Sequence, residues 1–250
     1  MNVVILAAGK GTRMKEHTAE KTKAMLPLFA EKKPMLQVTV ENCMAAGLSH
    51  FIIVVGYRKL DIINHPFFLE CEKSGLATFQ FVEQSNFSGG TADAVECAGH
   101  YIRSPQFLLV FADVVASREE IGRLLHTAEE TDEAIIAVRR VLDPTRYGVV
   151  EYMDLPLRTG AARGQKKRFL KRITEKSPSP PTDLINAGLY VFPLAIMDHV
   201  RKTGVSPRRE RELTDSMQSF VDAGSRILLV EVEQLVDVGT KDEYEHVLAK

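Results

Sequence analysis

Through the first 140 residues, short continuous apolar runs alternate with longer stretches whose apolar positions recur at helical spacing. Val3–Leu6, Phe51–Val55, Thr78–Val82, Phe107–Phe111 and Ala134–Val138 predict strands, being rich in β-branched and aromatic residues. Between them, Met35–Ala46, Thr91–Tyr101 and Ile121–Glu130 predict helices. Gly47 stands where a left-handed residue would end the first helix, and Ser117-Arg-Glu-Glu120 reads as a capping box opening the third. Strands that are apolar on both faces and separated by helices call for a mostly parallel sheet covered from both sides. The first half is therefore expected to be a doubly wound α/β unit.

Beyond Pro144 the pattern becomes richer in strands: Tyr147–Met153, Phe169–Ile173, Leu184–Phe192 and Arg226–Val232, with helices at Leu194–Lys202 and Thr214–Ala223. Gly204 and Gly224 occupy the positions expected of C′ residues, and Thr240-Lys-Asp-Glu243 is a second capping box before a last helix. The Pro- and Gly-punctuated stretches Asp154–Gly164 and Ser177–Thr182 read as surface loops or a hairpin turn. No long linker precedes this half, so it is expected to extend the same sheet. Residues 1–250 then form one domain, with 1–140 as one half and 141–250 as the other.

Composition fits this picture. The chain has 250 residues, 45% hydrophobic and 26% charged, and a chain of that length builds a core without disulfide or metal staples. A net charge of -1 argues against a bulk nucleic-acid or membrane-surface binder. Cys43, Cys71 and Cys97 are far apart and odd in number, which points to a reducing, cytoplasmic compartment. The seven histidines show no metal-ligand pairing, and no apolar run approaches the roughly 20 residues of a membrane helix. The opening run lacks a basic leader and stops at Gly9-Lys10, so it reads as a first strand, not a signal peptide.

The strongest chemical signal is Leu6-Ala-Ala-Gly-Lys-Gly-Thr-Arg-Met14, directly after the first strand. A glycine-rich turn at the carboxyl end of a parallel strand is where open α/β sheets bind ligands. Small residues there let backbone N–H groups approach a phosphate, and Lys10 and Arg13 add positive charge. Two familiar fingerprints fail: G-x-G-x-x-G needs glycine where Met14 stands, and the P-loop needs four residues before its Gly-Lys. Asp113 follows the apolar run Phe107–Ala112, so its carboxylate would emerge at the end of a central strand. Asp237, in Val-Asp-Val-Gly, occupies a similar strand end.

This turn, followed by Lys23-Ala-Met-Leu-Pro27, resembles the signature of the sugar-phosphate nucleotidyltransferases, which include glucose-1-phosphate thymidylyl- and uridylyltransferases and N-acetylglucosamine-1-phosphate uridylyltransferases. The resemblance continues in family order through Gly90-Thr-Ala-Asp-Ala94, Phe111-Ala-Asp113, Tyr147-Gly148, Glu175-Lys176, Asn186-Ala-Gly188 and Val236-Asp-Val-Gly239. It implies a Rossmann-like, doubly wound, mostly parallel sheet with a β-rich sugar-binding elaboration. The first half would bind nucleotide and the second sugar phosphate. The implied reaction is attack of a sugar-1-phosphate oxygen on the α-phosphorus of a nucleoside triphosphate, UTP or dTTP, with release of pyrophosphate. Such a reaction needs in-line positioning and cations where charge spreads over phosphoryl oxygens.

The resemblance also implies roles residue by residue. Ala8, Gly9, Gly11, Gln84, Gly90 and Thr91 would bind the nucleotide, with the Gln84 amide reading a pyrimidine edge through one donor and one acceptor. Gln80 stands nearby as a competitor for that task. Arg13 and Lys23 would contact the triphosphate and, with Asp113, form the catalytic set; Asp113 and Asp237 would hold Mg²⁺. Gly148, Glu175 and Asn186 would meet sugar hydroxyls and Lys176 the sugar phosphate. Two departures stand out: Ala112 precedes Asp113 where the family usually has glycine, and Arg209 replaces the glycine of a family loop, here Arg208–Asp215. That loop has no expected catalytic role, with Thr214 capping the following helix.

Other readings stay open at this stage. Gly-Thr-Ala-Asp-Ala also occurs in adenylyl-transferring relatives, so CTP, ATP or GTP, or a non-sugar phosphate acceptor, are alternatives. A catalytically silent nucleotide-sugar-binding regulatory subunit is a third reading, opposed by the presence of Arg13, Lys23, Asp113 and Asp237 together. No nucleic-acid or membrane partner is expected, while a homo-oligomer is compatible with the sequence. The length suits a single nucleotidyltransferase domain without the repeat-built acyltransferase extension of some longer relatives. The near-neutral charge hides two basic segments: residues 10–33 carry seven Lys/Arg against three Asp/Glu, and residues 158–176 eight against one. Both flank motifs assigned to anionic substrates, and Lys166–Arg172 reads as a solvated strand, not a nucleic-acid patch.

Overall fold

The structure, a computed structural model, describes residues 1–11, 21–29, 31–86, 88–160, 162–239 and 241–248. In chain order, β1 (Asn2–Ala7) leads past the small strands β2 (Pro27–Leu28) and β3 (Lys33–Pro34) into α1 (Met35–Ala45). Next come β4 (His50–Val55), α2 (Lys59–Ile63), α3 (Pro66–Lys73), β5 (Thr78–Glu83), α4 (Thr91–Gly99) and β6 (Gln106–Phe111). They are followed by β7 (Val114–Ala116), α5 (Arg118–Thr131), β8 (Ala134–Arg140), β9 (Gly148–Pro156) and β10 (Lys166–Glu175). The chain continues through β11 (Leu184–Pro193), α6 (Ile196–Lys202), α7 (Leu213–Asp222), β12 (Ile227–Glu231), β13 (Leu235–Asp237) and α8 (Lys241–Leu248).

Nine strands form one mixed sheet in the order β5-β4-β1-β6-β11-β8-β12-β10-β9. Helices cover it on both sides, and β1 shows why. Val3, Ile5 and Ala7 join one core with Leu36, Val40, Phe68 and Ile121 of α1, α3 and α5. Val4 and Ala8 join the other with Val95, Ile196 and Met217 of α4, α6 and α7. A strand buried on both faces has no polar side to alternate with, hence its continuous apolar run. Fully burying each such side chain contributes roughly 1.5–3 kcal/mol, so these central strands anchor the molecule.

The expected mostly parallel sheet holds for β5, β4, β1 and β6, which pair in parallel. Beyond β6 the expectation is corrected. β11 returns from the second half of the sequence and pairs antiparallel with both β6 and β8. Only β8 and β12 restore a parallel pair, and β10 and β9 close the far edge antiparallel. The halves thus interleave within one sheet, because β11 is apolar on both faces and fits between two buried neighbours.

Smaller departures have local causes. The stretch between β4 and β5, without a predicted helix, holds α2 and α3, the latter started by Pro66 at its first turn. The Ser117 hydroxyl accepts from the Glu120 amide as a cap should. The Glu120 carboxylate does not reach back; it accepts instead from the backbone N–H groups of Glu233 and Gln234. The second capping box begins at residue 240, outside the described residues. Gly47 and Gly224 adopt the expected left-handed backbone (φ +88° and +91°), whereas Gly204 does not and α6 ends on an extended Thr203. The N-cap of α7 is Glu212, not Thr214, which lies buried inside its first turn. Asp154–Gly164 divides between the end of β9 and the turn of a β9–β10 hairpin.

Candidate active site

Chain order and strand order diverge beside β1. The chain steps outward from β1 to β4 and β5, then returns to place β6 on the opposite side of β1. At such a reversal the connections leaving the two carboxyl ends part in opposite directions and open a crevice. A cleft of about 410 Å³ lies there, and it gathers Ala8, Gly9, Gly11, Lys23, Gln84, Gly90, Thr91 and Asp113. All eight are among the residues the sequence singles out, and they come from three connections, β1–β2, β5–α4 and β6–β7, spread over a hundred residues. Arg13 lies outside the described residues. The Gly-rich turn is described through Gly11, which has φ +63°, a conformation that favours glycine.

A ribbon of β7 and β13 brings the second aspartate to the first. Asp237 pairs with Val114, and the Val238 N–H donates to the Asp113 carbonyl at 3.0 Å. Residues 124 apart in sequence thereby end on one rim. The Lys23 ammonium lies 2.7 Å from Asp113 Oδ2, and Arg139, at the end of β8, donates to Asp237 Oδ2 at 3.1 Å. Burial, reinforced by repulsion from Asp113, pushes the Asp237 carboxyl up to about 6 despite Arg139 and Lys23. Two crowded carboxylates of this kind suit a dication, whose charge relieves both burial and repulsion. Among the described residues no group of three or more His, Cys, Asp or Glu side chains forms a ready metal cage. Two carboxylates on one rim fit a divalent cation of the kind that takes few protein carboxylates and completes its sphere with phosphate oxygens and water.

The four residues assigned to the sugar side form an adjoining group. A Cβ on Gly148 would lie 3.1 Å from Glu175 Oε2 and 3.5 Å from Asn186 Cβ, so glycine there leaves space between them. Lys176 stands 3.4 Å from Glu175 Oε1, at a left-handed backbone position (φ 49°). Burial pushes the Glu175 carboxyl up, and repulsion from Glu212 adds to it, while Lys176 and Arg208 act the other way. Asn186 donates to the Tyr190 hydroxyl at 2.7 Å and accepts from the Gly188 N–H at 3.1 Å. The group touches the cleft through Gly188, where a Cβ would lie 3.2 Å from the ring of the cleft-lining Phe111.

Structure also adds residues that spacing did not single out. Gln84 is buried in the cleft wall, and its Nε2 donates to both Asp93 Oδ2 (2.7 Å) and the Gly90 carbonyl (3.1 Å). The nitrogen of the amide expected to read a base is thus engaged by protein acceptors in this structure. Gln80 lies outside the cleft, on a shallow depression beside Asn2 and His50. The Arg208–Asp215 loop bridges both groups. Arg211 donates through its main chain to Gly89 and through its side chain to Asp93 and Glu96. Arg208 pairs with the buried Glu212 at 2.7 Å and donates to the Glu175 carbonyl at 3.2 Å. Asp93 lies inside the Gly-Thr-Ala-Asp-Ala motif and Arg208 and Arg211 inside the Arg208–Asp215 segment, while Arg139 reaches the site through folding alone. Ala112, where the resemblance leads one to expect glycine, has no left-handed backbone and its methyl is buried without backbone strain.

A mixed α/β sheet with anion-suited groups at its strand reversal defines a phosphate-handling α/β protein, and comparison with known proteins identifies which kind. The model of the nucleotidyl transferase family matches residues 2–250. The chain belongs to that family. It is 30% identical over 263 residues to the UTP–glucose-1-phosphate uridylyltransferase of Bacillus subtilis, covering 95% of this chain and 86% of that protein. It is 29% identical over 225 residues to the bifunctional protein GlmU of Methanocaldococcus jannaschii, of whose length it spans 47%. A solved UDP-glucose pyrophosphorylase in complex with UDP-glucose superposes with a TM-score of 0.83 at 21% identity, covering 98% of this chain and 96% of that one. That likeness shows a shared fold. No helix among the described residues is long and apolar enough to cross a membrane.

Proposed function

We propose that this chain is a sugar-1-phosphate nucleotidyltransferase: it joins a sugar-1-phosphate to the nucleotidyl group of UTP or dTTP and releases pyrophosphate. The observation that carries this reading is the cleft at the β1/β6 reversal. It unites the glycine-rich turn with Lys23 and Asp113, and abuts the Gly148, Glu175, Asn186 group. The strand order supports a Rossmann-like doubly wound nucleotide half (1–140), with the remainder as a sugar-phosphate half that supplies β11 to the same sheet. The free cysteines fit a reducing, cytoplasmic location.

In this reading the backbone from Ala8 to Gly11 cradles the nucleotide, and Gly90 and Thr91 place the first turn of α4 beside the base. Arg13 and Lys23 meet the triphosphate. Asp113 and Asp237 are the residues to hold Mg²⁺, which when bound neutralises charge on phosphoryl oxygens and orients them. Lys176 receives the sugar phosphate, while Glu175 and Asn186 hydrogen-bond sugar hydroxyls, fixing the acceptor oxygen in line with the α-phosphorus. The protein's own work is positioning and charge compensation, which lower the barrier without a covalent intermediate.

The test is a matrix of UTP, dTTP, CTP, ATP and GTP against sugar-1-phosphates, scored by pyrophosphate. Release is expected only when both substrates are present, and Asp113→Asn should lower turnover by roughly a hundredfold or more. Nucleotide binding without pyrophosphate across the whole matrix would instead favour a silent regulatory subunit.

A further inference from the structure

The Gln84 amide is held in one orientation by Asp93, which is not among the residues lining the cleft. Its nitrogen faces two groups that can only accept, the Asp93 carboxylate at 2.7 Å and the Gly90 carbonyl at 3.1 Å. A flipped amide would point its oxygen at both, setting acceptor against acceptor. Gln84 is only 3% exposed, and its Oε1 accepts no hydrogen bond among the described residues. That oxygen is the part of the amide left for a ligand in the cleft.

Asp93 is fixed in turn from the second half of the chain. Arg211 Nη1 lies 3.4 Å from Asp93 Oδ1 and 2.5 Å from Glu96 Oε2. Its other nitrogens donate to the carbonyls of Thr203 (2.9 Å) and Val200 (2.8 Å) at the end of α6. The Arg211 main chain hydrogen-bonds Gly89 and Ala92 on either side of Gly90, each at 2.9 Å. A Cβ on Gly89 would fall 2.5 Å from Asp93 Oδ2, so the carboxylate occupies a space that glycine keeps open. The chain Arg211–Asp93–Gln84 thus reaches from a guanidinium tied to α6 to an amide in the cleft wall.

Resting on the nucleotide-binding reading of this cleft, we infer that Asp93, braced by Arg211, is a specificity-determining positioning residue that locks Gln84 to present its oxygen to the nucleobase. A cleft wall that can only accept favours a base offering N–H at the facing edge and rejects one that offers a lone pair there. UTP and CTP differ in this way at both ring positions: uracil has N3–H and O4, cytosine a bare N3 and an N4 amine. Whichever of the two faces Gln84, the locked oxygen separates them.

The experiment measures dissociation constants of UTP and CTP by calorimetry, which needs no turnover. Wild type is expected to prefer one over the other. Asp93→Asn replaces the closer, charged acceptor with an amide that can donate to Gln84 Oε1, leaving the Gly90 carbonyl alone to oppose the flip, and should bring the UTP/CTP ratio toward unity by about tenfold. Gln84→Glu alone places two carboxylates together and should weaken both nucleotides. Adding Asp93→Asn to it restores a donor–acceptor pair with an oxygen toward the base, and should return the wild-type preference. This double variant carries the test if Asp93→Asn alone does not fold. Equal weakening of both nucleotides in Asp93→Asn with an unchanged ratio, or no rescue in the double variant, would overturn the inference while leaving the nucleotide-binding reading intact. Failure of wild type to bind any triphosphate would overturn that reading and this inference with it.

Discussion

Lys23 and Asp113, ninety residues apart, meet as a 2.7 Å ion pair at the mouth of the cleft. Each belongs to the group proposed for a different partner, the lysine for triphosphate and the aspartate for Mg²⁺. Without substrate, the lysine therefore competes with a dication for the same carboxylate. Lys23→Met should bind Mn²⁺, a spectroscopic stand-in for Mg²⁺, several-fold more tightly than wild type in the absence of nucleotide, although its turnover falls. Manganese titration followed by electron paramagnetic resonance reads this directly. Weaker metal binding by Lys23→Met would mean that the ion pair organises the carboxylate and does not block it.

Arg209 occupies a left-handed backbone conformation (φ 64°), one that favours glycine. A non-glycine residue there costs roughly 1–2 kcal/mol, partly offset by the greater freedom of glycine in the unfolded chain. Its side chain is exposed, so little packing is lost on truncation. Arg209→Gly should raise stability by about 0.5–1 kcal/mol, seen as a rise of roughly 1–4 °C in calorimetric melting temperature. A lower melting temperature would show that the guanidinium has a structural role.

Gly90 is constrained from the opposite direction. Its φ is +93°, and a Cβ would lie 2.4 Å from the Arg211 carbonyl oxygen and 2.7 Å from the Arg211 nitrogen. Both neighbours are main chain, held by hydrogen bonds to Gly89 and Ala92, so neither can swing aside as a side-chain tip would. Gly90→Ala should destabilise by about 2–4 kcal/mol and weaken nucleotide binding together with it. Urea unfolding within about 1 kcal/mol of wild type would show that the Arg208–Asp215 loop gives way easily.

How much of this was legible in the chain depends on how far each relationship reaches. β1, β4, β5 and β6 were readable because a strand buried on both faces is apolar throughout, whatever its neighbours are. The place of β11 between β6 and β8 was not, since its apolar run suits any buried slot and nothing in Leu184–Pro193 specifies the direction of its partners. The cleft residues of the first half were visible as glycines and charges at strand ends. Asp93 stood in view inside Gly-Thr-Ala-Asp-Ala, but its link to Gln84 depends on a rotamer, and its link to Arg211 spans 118 residues. Glu120 looked like half of a capping box because spacing fits that pattern; burial beside residues 233 and 234 redirected its carboxylate.

That redirected carboxylate gives a pH-dependent prediction. The Glu120 side chain is 8% exposed and pairs with Arg123 while accepting from the Glu233 and Gln234 amides at 2.8 and 3.1 Å. Burial alone would push its carboxyl up; the Glu233 amide, Arg123 and the Gln234 amide outweigh this and hold it below the ordinary glutamate value of 4.5. A carboxyl depressed in the folded state stabilises the protein above its unfolded pKa, and that stabilisation is lost as pH falls through the folded pKa. Glu120→Gln keeps the shape but not the charge, so it should cost about 1–3 kcal/mol at pH 7. The gap between wild type and variant should narrow as pH drops below about 4.5, where wild type begins to protonate the same group. Melting curves of both proteins from pH 7 to pH 3 decide the matter. A gap that stays constant across that range would assign the loss to hydrogen-bond geometry and leave the charge of Glu120 without a stabilising role.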